Sequence, residues 1–424
     1  MLPNKKTEIV NGVKWDYLLV YLIIATSAIP FFYLYIEFKI INLIVVLIVF
    51  LLRGKTIDKS IFIYIFLTLV IFLGQYLTFG IFTFTDYLSI IIRILIAYFT
   101  IKTVSFRFFN TYRNLIYLFA IISFFFYLPS VIIPGFSDFF ISKISPFLNP
   151  PFQNPLKSRF TQQIILFNFT EIDELRNSGP LWEPGTFGGF LVIAIIINTI
   201  MNGSLFEKKN IVMIIALLST FSTTNYIALF LFIMIYFIFI EKKLNAFIIV
   251  LPLLAIFIAI YFEADFLQKK INSQINDTNM YYKSGMVGNR FVSAKVDIED
   301  FLKYPIFGKG ISKEINKQVN SKFEGHRSNG LATYLANFGI IFFLFYFFNL
   351  YKSFFRLCSL YGYKKYLNYG IFSILMISGF SEEYYNFPFF YALTMLHLII
   401  PKNILTHLEF KNKTKSQVLV SEYQ

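Results

Sequence analysis

Long apolar runs follow one another along this chain, separated by short polar breaks. Runs of spanning or near-spanning length occur at Asp16–Ile36, Ile40–Leu52, Ile61–Phe79, Tyr87–Val104, Leu115–Ile133, Thr186–Met201, Ile211–Asn225, Tyr226–Ile240, Leu244–Phe262, Leu331–Leu350, Leu367–Phe380 and Phe387–Ile400. A helix needs about 20 apolar residues to cross a hydrocarbon core of about 30 Å. The pattern therefore predicts an all-α polytopic membrane protein of about 12 transmembrane helices, in one transmembrane domain over residues 1–424. Two consecutive runs lie between Lys208-Lys209 and Lys242-Lys243, which favours both ends on the same side. They predict a hairpin broken at Ser222-Thr223-Thr224-Asn225, its polar tip within the membrane and facing a cavity.

Composition supports this and adds an orientation. With 57% hydrophobic and 15% charged residues the chain has too little polar surface to cover a soluble fold of its size. Its 38 Lys+Arg against 24 Asp+Glu give a net charge of +14, which could point to nucleic acid. The basic residues, however, gather in short breaks, among them Arg53 and Lys55, Arg107 and Arg113, and Lys352 and Arg356. The positive-inside rule places those breaks and both termini in the cytoplasm, so orientation accounts for the charge and no nucleic-acid partner is expected. A single cysteine, Cys358, excludes an internal disulfide and any multi-cysteine metal site. There is no GxxxxGK[ST] loop and no HExxH, so no nucleotide, metal or cofactor is expected.

Two long polar segments, 134–185 and 263–330, then face outward over a membrane cavity and carry the candidate chemistry. The first ends in Arg176-Asn177-Ser178-Gly179-Pro180-Leu181-Trp182-Glu183-Pro184-Gly185. Trp182 and Pro184 suit an interfacial helix start. That reading leaves Glu183 unexplained, since an unpaired carboxylate at the membrane edge is costly. In the second segment Phe291, Ala294, Ile298, Phe301 and Leu302 recur at helical spacing, predicting a helix on the membrane surface ended by Pro305 and the glycines of Pro305-Ile306-Phe307-Gly308-Lys309-Gly310. Asp297 to Asp300 would be its wet face. Arg290 opens that helix and suits a phosphate clamp, or else snorkels to lipid headgroups. His326-Arg327-Ser328-Asn329 precedes the next apolar run, and His326 is the one histidine on the outer side. Its place beside Arg290 and Arg176 favours catalysis or diphosphate binding over structure. His397 is expected to be buried structure. Arg93 is an intramembrane charge with no partner visible in sequence, which by default is a functional or ion-pairing residue. The outer turn containing Glu382, Glu383 and Tyr384 offers carboxylates and rings, suited to sugar or acceptor binding or to an ordinary interfacial loop.

These residues resemble a known family. Arg176 to Gly185 resembles the R-x-S/G-x-x-x-E-P stretch of bacterial O-antigen and exopolysaccharide polymerases. Arg290, Pro305 to Gly310, His326 and Gly339-Ile340 resemble, in order and spacing, the C-terminal region shared by the O-antigen polymerase and ligase superfamily. The resemblance runs from Arg176 to Leu350; the first five apolar runs match only in hydropathy. Arg327 departs from the pattern, which commonly has Asn after the His; here Asn329 stands two places on.

The resemblance implies a metal-independent glycosyltransferase with a C-type fold in the bacterial inner membrane, its site on the periplasmic face. Donor and acceptor would be undecaprenyl-diphosphate-linked glycans, with a flippase and a chain-length regulator as partners. Arg176, Arg290 and Arg327 would bind diphosphate, His326 or Glu183 would be the base, and Asn329, Glu382, Glu383 and Tyr384 would meet acceptor or sugar. The Trp-Glu-Pro stretch favours a repeat-unit polymerase over a ligase that moves glycan to lipid A-core. A lipid-linked oligosaccharide flippase is the alternative from another class; no internal repeat supports it.

Overall fold

The computed structural model describes residues 5–148, 162–169, 176–241, 252, 290–319 and 327–400. Every regular element among them is helical. We number the longer helices α1 (Lys5–Ala28), α2 (Ile36–Leu52), α3 (Lys59–Phe79), α4 (Phe84–Val104), α5 (Arg107–Ile132), α6 (Pro184–Asn202), α7 (Lys208–Leu218), α8 (Thr223–Ile240), α9 (Arg290–Lys303), α10 (Lys313–Val319), α11 (Gly330–Leu360), α12 (Lys365–Ser381) and α13 (Pro388–Leu398). Among the described residues six, α3, α4, α5, α6, α8 and α11, are long and apolar enough to cross a membrane. The chain is therefore a multi-pass membrane protein. The expected run Leu244–Phe262 and His326 lie outside the described residues.

The bundle is built around α6, which packs against α5, α7, α8 and α12 and has 94% of its apolar window buried. A helix apolar all round belongs inside a bundle. The same holds for the last expected run: α13 is an 11-residue helix whose residues from Pro388 to His397 are all buried. At 1.5 Å per residue it is about 16 Å long, about half a hydrocarbon core, so it is a core helix rather than a lipid-facing span. His397 sits there among Ser353 and Thr394, structural as expected.

The hairpin is present, with its break earlier than expected. α7 stops at Leu218 and α8 starts at Thr223, so Ser219 to Ser222 form the tip and Phe221 takes φ +47°. At the opposite end of the bundle the basic breaks meet. Asp16, 1% exposed, binds Arg53 Nη1 at 2.6 Å and Arg107 Nε at 2.7 Å, and Arg113 Nη1 donates to Asn198 Oδ1 near the end of α6. α6 thus runs from the acidic Glu183 end to this basic end.

α11 carries a break that explains one motif. Gly339 lies inside it with φ 69°, ψ 178°, where an L side chain is strained. The Pro305–Gly310 turn fills the gap: Lys309 N and Gly310 N donate to the Ala336 and Asn337 carbonyls, and Ile340 N donates to Pro305 O at 2.8 Å. Gln75 Nε2 of α3 clamps both strands of this contact through Phe307 O at 2.7 Å and Asn337 O at 2.9 Å.

The helix after Arg290 forms where its periodicity places it, but Asp297 and Asp300 do not lie on a wet face as expected. Phe291, Ile298 and Leu302 are exposed, whereas Asp297 and Asp300 are fully buried. The supposed wet face points inward because cations meet it there. Arg327 Nη1 reaches Asp297 Oδ1 and Asp300 Oδ2, each at 2.6 Å, Lys309 Nζ reaches Asp300 Oδ2 at 2.8 Å, and Thr333 Oγ1 donates to Asp297 Oδ2. Buried carboxylates are tolerated when paired and hydrogen-bonded in this way.

Candidate active site

The stretch after Arg176 is fixed to the hairpin tip by its own polar groups. Asn177 donates from its backbone to Ser219 O at 2.9 Å and from Nδ2 to Ser219 Oγ and Ser123 Oγ, while Arg176 Nε donates to Thr220 O at 3.0 Å. Asn177 Oδ1 in turn accepts Gly179 N, closing the turn before Pro180. The chain then delivers Glu183 to the start of α6.

Glu183 is not a lone carboxylate at the membrane edge. Its Oε1 accepts Trp182 Nε1 at 3.0 Å and Thr186 Oγ1 at 3.3 Å, and its carboxyl hydrogen-bonds Glu382 from the turn after α12. Glu382 comes this close because α6 starts with glycines. A side chain at Gly185 would collide with Glu382 Oε1, and one at Gly189 would collide with the Tyr384 hydroxyl. Tyr384 donates to Gly185 O at 2.9 Å, and Asn225 Nδ2 donates to the same carbonyl at 2.8 Å. The second outer segment closes the group: Arg290 Nη2 lies 3.1 Å from Glu382 Oε1, with Arg290 28% and Glu382 6% exposed.

Two buried carboxyls in contact cannot both ionise cheaply, so they share one proton. Burial, reinforced by the Glu183 charge and hydrogen bond, pushes Glu382 well above the usual carboxylate range; Arg290 and Arg176 only partly oppose this. Burial also works against Glu183, but the hydrogen bonds from Glu382, Trp182 and Thr186 and the Arg290 charge outweigh it and hold Glu183 low. Both effects favour the proton on Glu382. Glu183 is then an ionised, oriented acceptor, and Arg176 and Arg290 both act on the Glu382 position from outside. Glu383 is raised to about 8 by burial and by the Asp297 and Glu183 charges.

The residues expected from sequence thus divide. Arg176, Glu183, Arg290 and Glu382 come together, with Tyr384 behind them as a buried support stacked on Phe390. Arg327 spends Nη1 on Asp297 and Asp300, and Asn329 is buried at the N-cap of α11, where Oδ1 accepts Ala332 N at 2.9 Å. Both hold the fold of the second segment. Sequence reading missed the carboxyl pairing, whose signal was the closely spaced Gly185, Gly188 and Gly189 at a helix start, and it missed the partner of Arg93, the Asn386 carbonyl at 3.1 Å. Among the described residues no group of three or more His, Cys, Asp or Glu could hold a metal.

A family model described as O-antigen ligase matches residues 210–347, about a third of the chain. The match takes in the hairpin from Asn210 onward, Arg290 and its helix, the Pro305–Gly310 turn, Arg327 and the Gly339 break. No curated protein matches the chain. The match and the helical membrane fold together support membership in the O-antigen polymerase and ligase superfamily.

Proposed function

We propose that the chain polymerises undecaprenyl-diphosphate-linked oligosaccharide repeat units by glycosyl transfer on the outer face of the inner membrane. The observation that carries this reading is the meeting of Arg176, Arg290 and the Glu183–Glu382 pair at one end of α6. Arg176 and Arg290 take the donor diphosphate, displacing Glu382 from Arg290. As the anomeric C–O bond breaks, the diphosphate leaves with the bonding electrons, and the arginines stabilise its growing charge. The acceptor hydroxyl oxygen forms the new bond to the anomeric carbon, and its proton passes to the Glu183 carboxylate. His326 is the competing base. The energy is that of the phosphate ester, so neither nucleotide nor metal is required.

Purified protein in lipid nanodiscs, given lipid-linked repeat units, should build a ladder of polymer, and chelation should leave it intact. Arg290→Ala should lower the rate about ten- to a hundredfold, the worth of one charge-assisted phosphate bond. A full ladder from Arg290→Ala at normal protein levels would sink the assignment, and a flippase would elongate nothing. The description of the matching family favours a second reading, ligation to lipid A-core. Lipopolysaccharide banding of a deletion strain separates the two: loss of a polymerase leaves core plus one repeat, and loss of a ligase leaves bare core.

A further inference from the structure

Lys39 opens α2 in its first turn and is 6% exposed. Among the described residues no carboxylate stands within 4.0 Å of it; its Nζ lies over the Tyr33 ring, 4.7 Å from the centroid. A cation–ring contact offsets only part of the cost of burying an ammonium. A second cation makes this worse. Arg93, in α4, lies in the field of Lys39, and its Nη1 is bonded only to the neutral Asn386 carbonyl among the described residues. Glu383 shares the surroundings of Tyr33 with Arg93, and burial raises it above the ordinary carboxylate range. Lys39 is thus buried without a carboxylate partner among the described residues, next to a second, half-buried cation.

The location connects them to the site. The Tyr33 ring packs on Trp182 at 4.9 Å and on Phe387 at 5.8 Å, and Trp182 and Phe387 meet edge to face at 4.8 Å. Trp182 Nε1 is the donor that fixes Glu183. A platform of three rings therefore links the Lys39–Arg93 pair to one side of Glu183, while Arg176 and Arg290 act on Glu382 from the other. We propose that Lys39 and Arg93 form a second anion site, which holds the diphosphate of the acceptor lipid while the rings carry its sugar toward Glu183. This rests on the polymerase reading, since transfer between two lipid-linked glycans needs two diphosphates in place at once, and it names the part of the chain that takes the second.

Binding tests it without requiring turnover. Native mass spectrometry of the purified protein with undecaprenyl diphosphate should show two bound lipids. Lys39→Met with Arg93→Gln should retain one, with affinity for the second lowered about tenfold or more, and Arg290→Ala should likewise retain one. Lys39→Met removes a buried charge, so it should keep the fold; unchanged thermal unfolding checks this. In the elongation assay Lys39→Met should raise KM for the diphosphate-linked acceptor, leave donor KM unchanged, and have no effect on an acceptor carried by a neutral alkyl glycoside. One bound lipid in the wild type, two in the double variant, or equal losses with both acceptors would overturn the inference. Two sites lost separately in a protein that elongates nothing would preserve it and sink the polymerase reading instead.

Discussion

Glu183 and Glu382 hold one proton between them, and Glu383 beside them is pushed from its ordinary 4.5 to about 8. A carboxyl raised in the fold binds more protons there than in the unfolded chain, so its contribution to stability is present at low pH and declines as pH rises from about 4.5 to about 8. Glu183, held low, works in the opposite sense. Glu383→Gln should therefore flatten the fall in melting temperature between those pH values in detergent-solubilised protein; an unchanged slope would show that Glu383 titrates normally. Glu382→Gln keeps the hydrogen bond to Glu183 and the space beside Gly185, so it should fold, with a pH–rate profile shifted from the wild type. At this scale Arg176, Glu183 and Arg290 were legible, since an Arg or Glu beside an apolar run needs a reason. The pairing was not, because it depends on how closely the turn after α12 approaches the glycines of α6.

The elements show where periodicity stops being informative. Spacing found α9 within a residue or two of its ends, yet it put Asp297 and Asp300 on a wet face where they are buried. In a soluble protein the apolar stripe faces in; in a membrane protein the outside can be as apolar as the core, and buried polar partners decide the orientation. Arg327→Leu tests that partnership. It leaves Asp297 and Asp300 buried with Lys309 as their remaining cation among the described residues and should cost about 3–5 kcal/mol, read as loss of folded protein. Loss of activity at unchanged stability would instead return Arg327 to the substrate. Gly339→Ala should also destabilise, by about 1–3 kcal/mol, because its φ is positive and a side chain would run into the Ile306 carbonyl. The turn that fills this break was visible in sequence as a motif, but its use was not, since its partners lie about 30 residues on.

Across the whole molecule, charge separates the two ends of the bundle more clearly than hydropathy counts its spans. Arg53, Arg107 and Arg113 gather at one end, and Arg176 and Arg290 at the other. If the first end is cytoplasmic, as the positive-inside rule expects, labelling should show it. The single native cysteine, Cys358, is 1% exposed and gives little background. Phe147→Cys, at a side chain 89% exposed, should react with an impermeant maleimide from outside, and Lys55→Cys only after the membrane is opened. The reverse result would invert the topology. Membrane class was readable from composition alone. The number of crossings was less so, because a buried helix such as α13 is as apolar as a spanning one.

The break at Gly339 also bears on how the chain is made. The turn that completes it is synthesised before α11 and, in the outward topology, is exported before that helix enters the bilayer. Until the turn folds back, the carbonyls of Ala336 and Asn337 and the amide of Ile340 lack their partners, a costly state away from water. In that topology the first third of α11 matures only when the exported turn returns to it, with α3 receiving both through Gln75. With that topology, insertion alone would not complete the fold; a docking step would follow it.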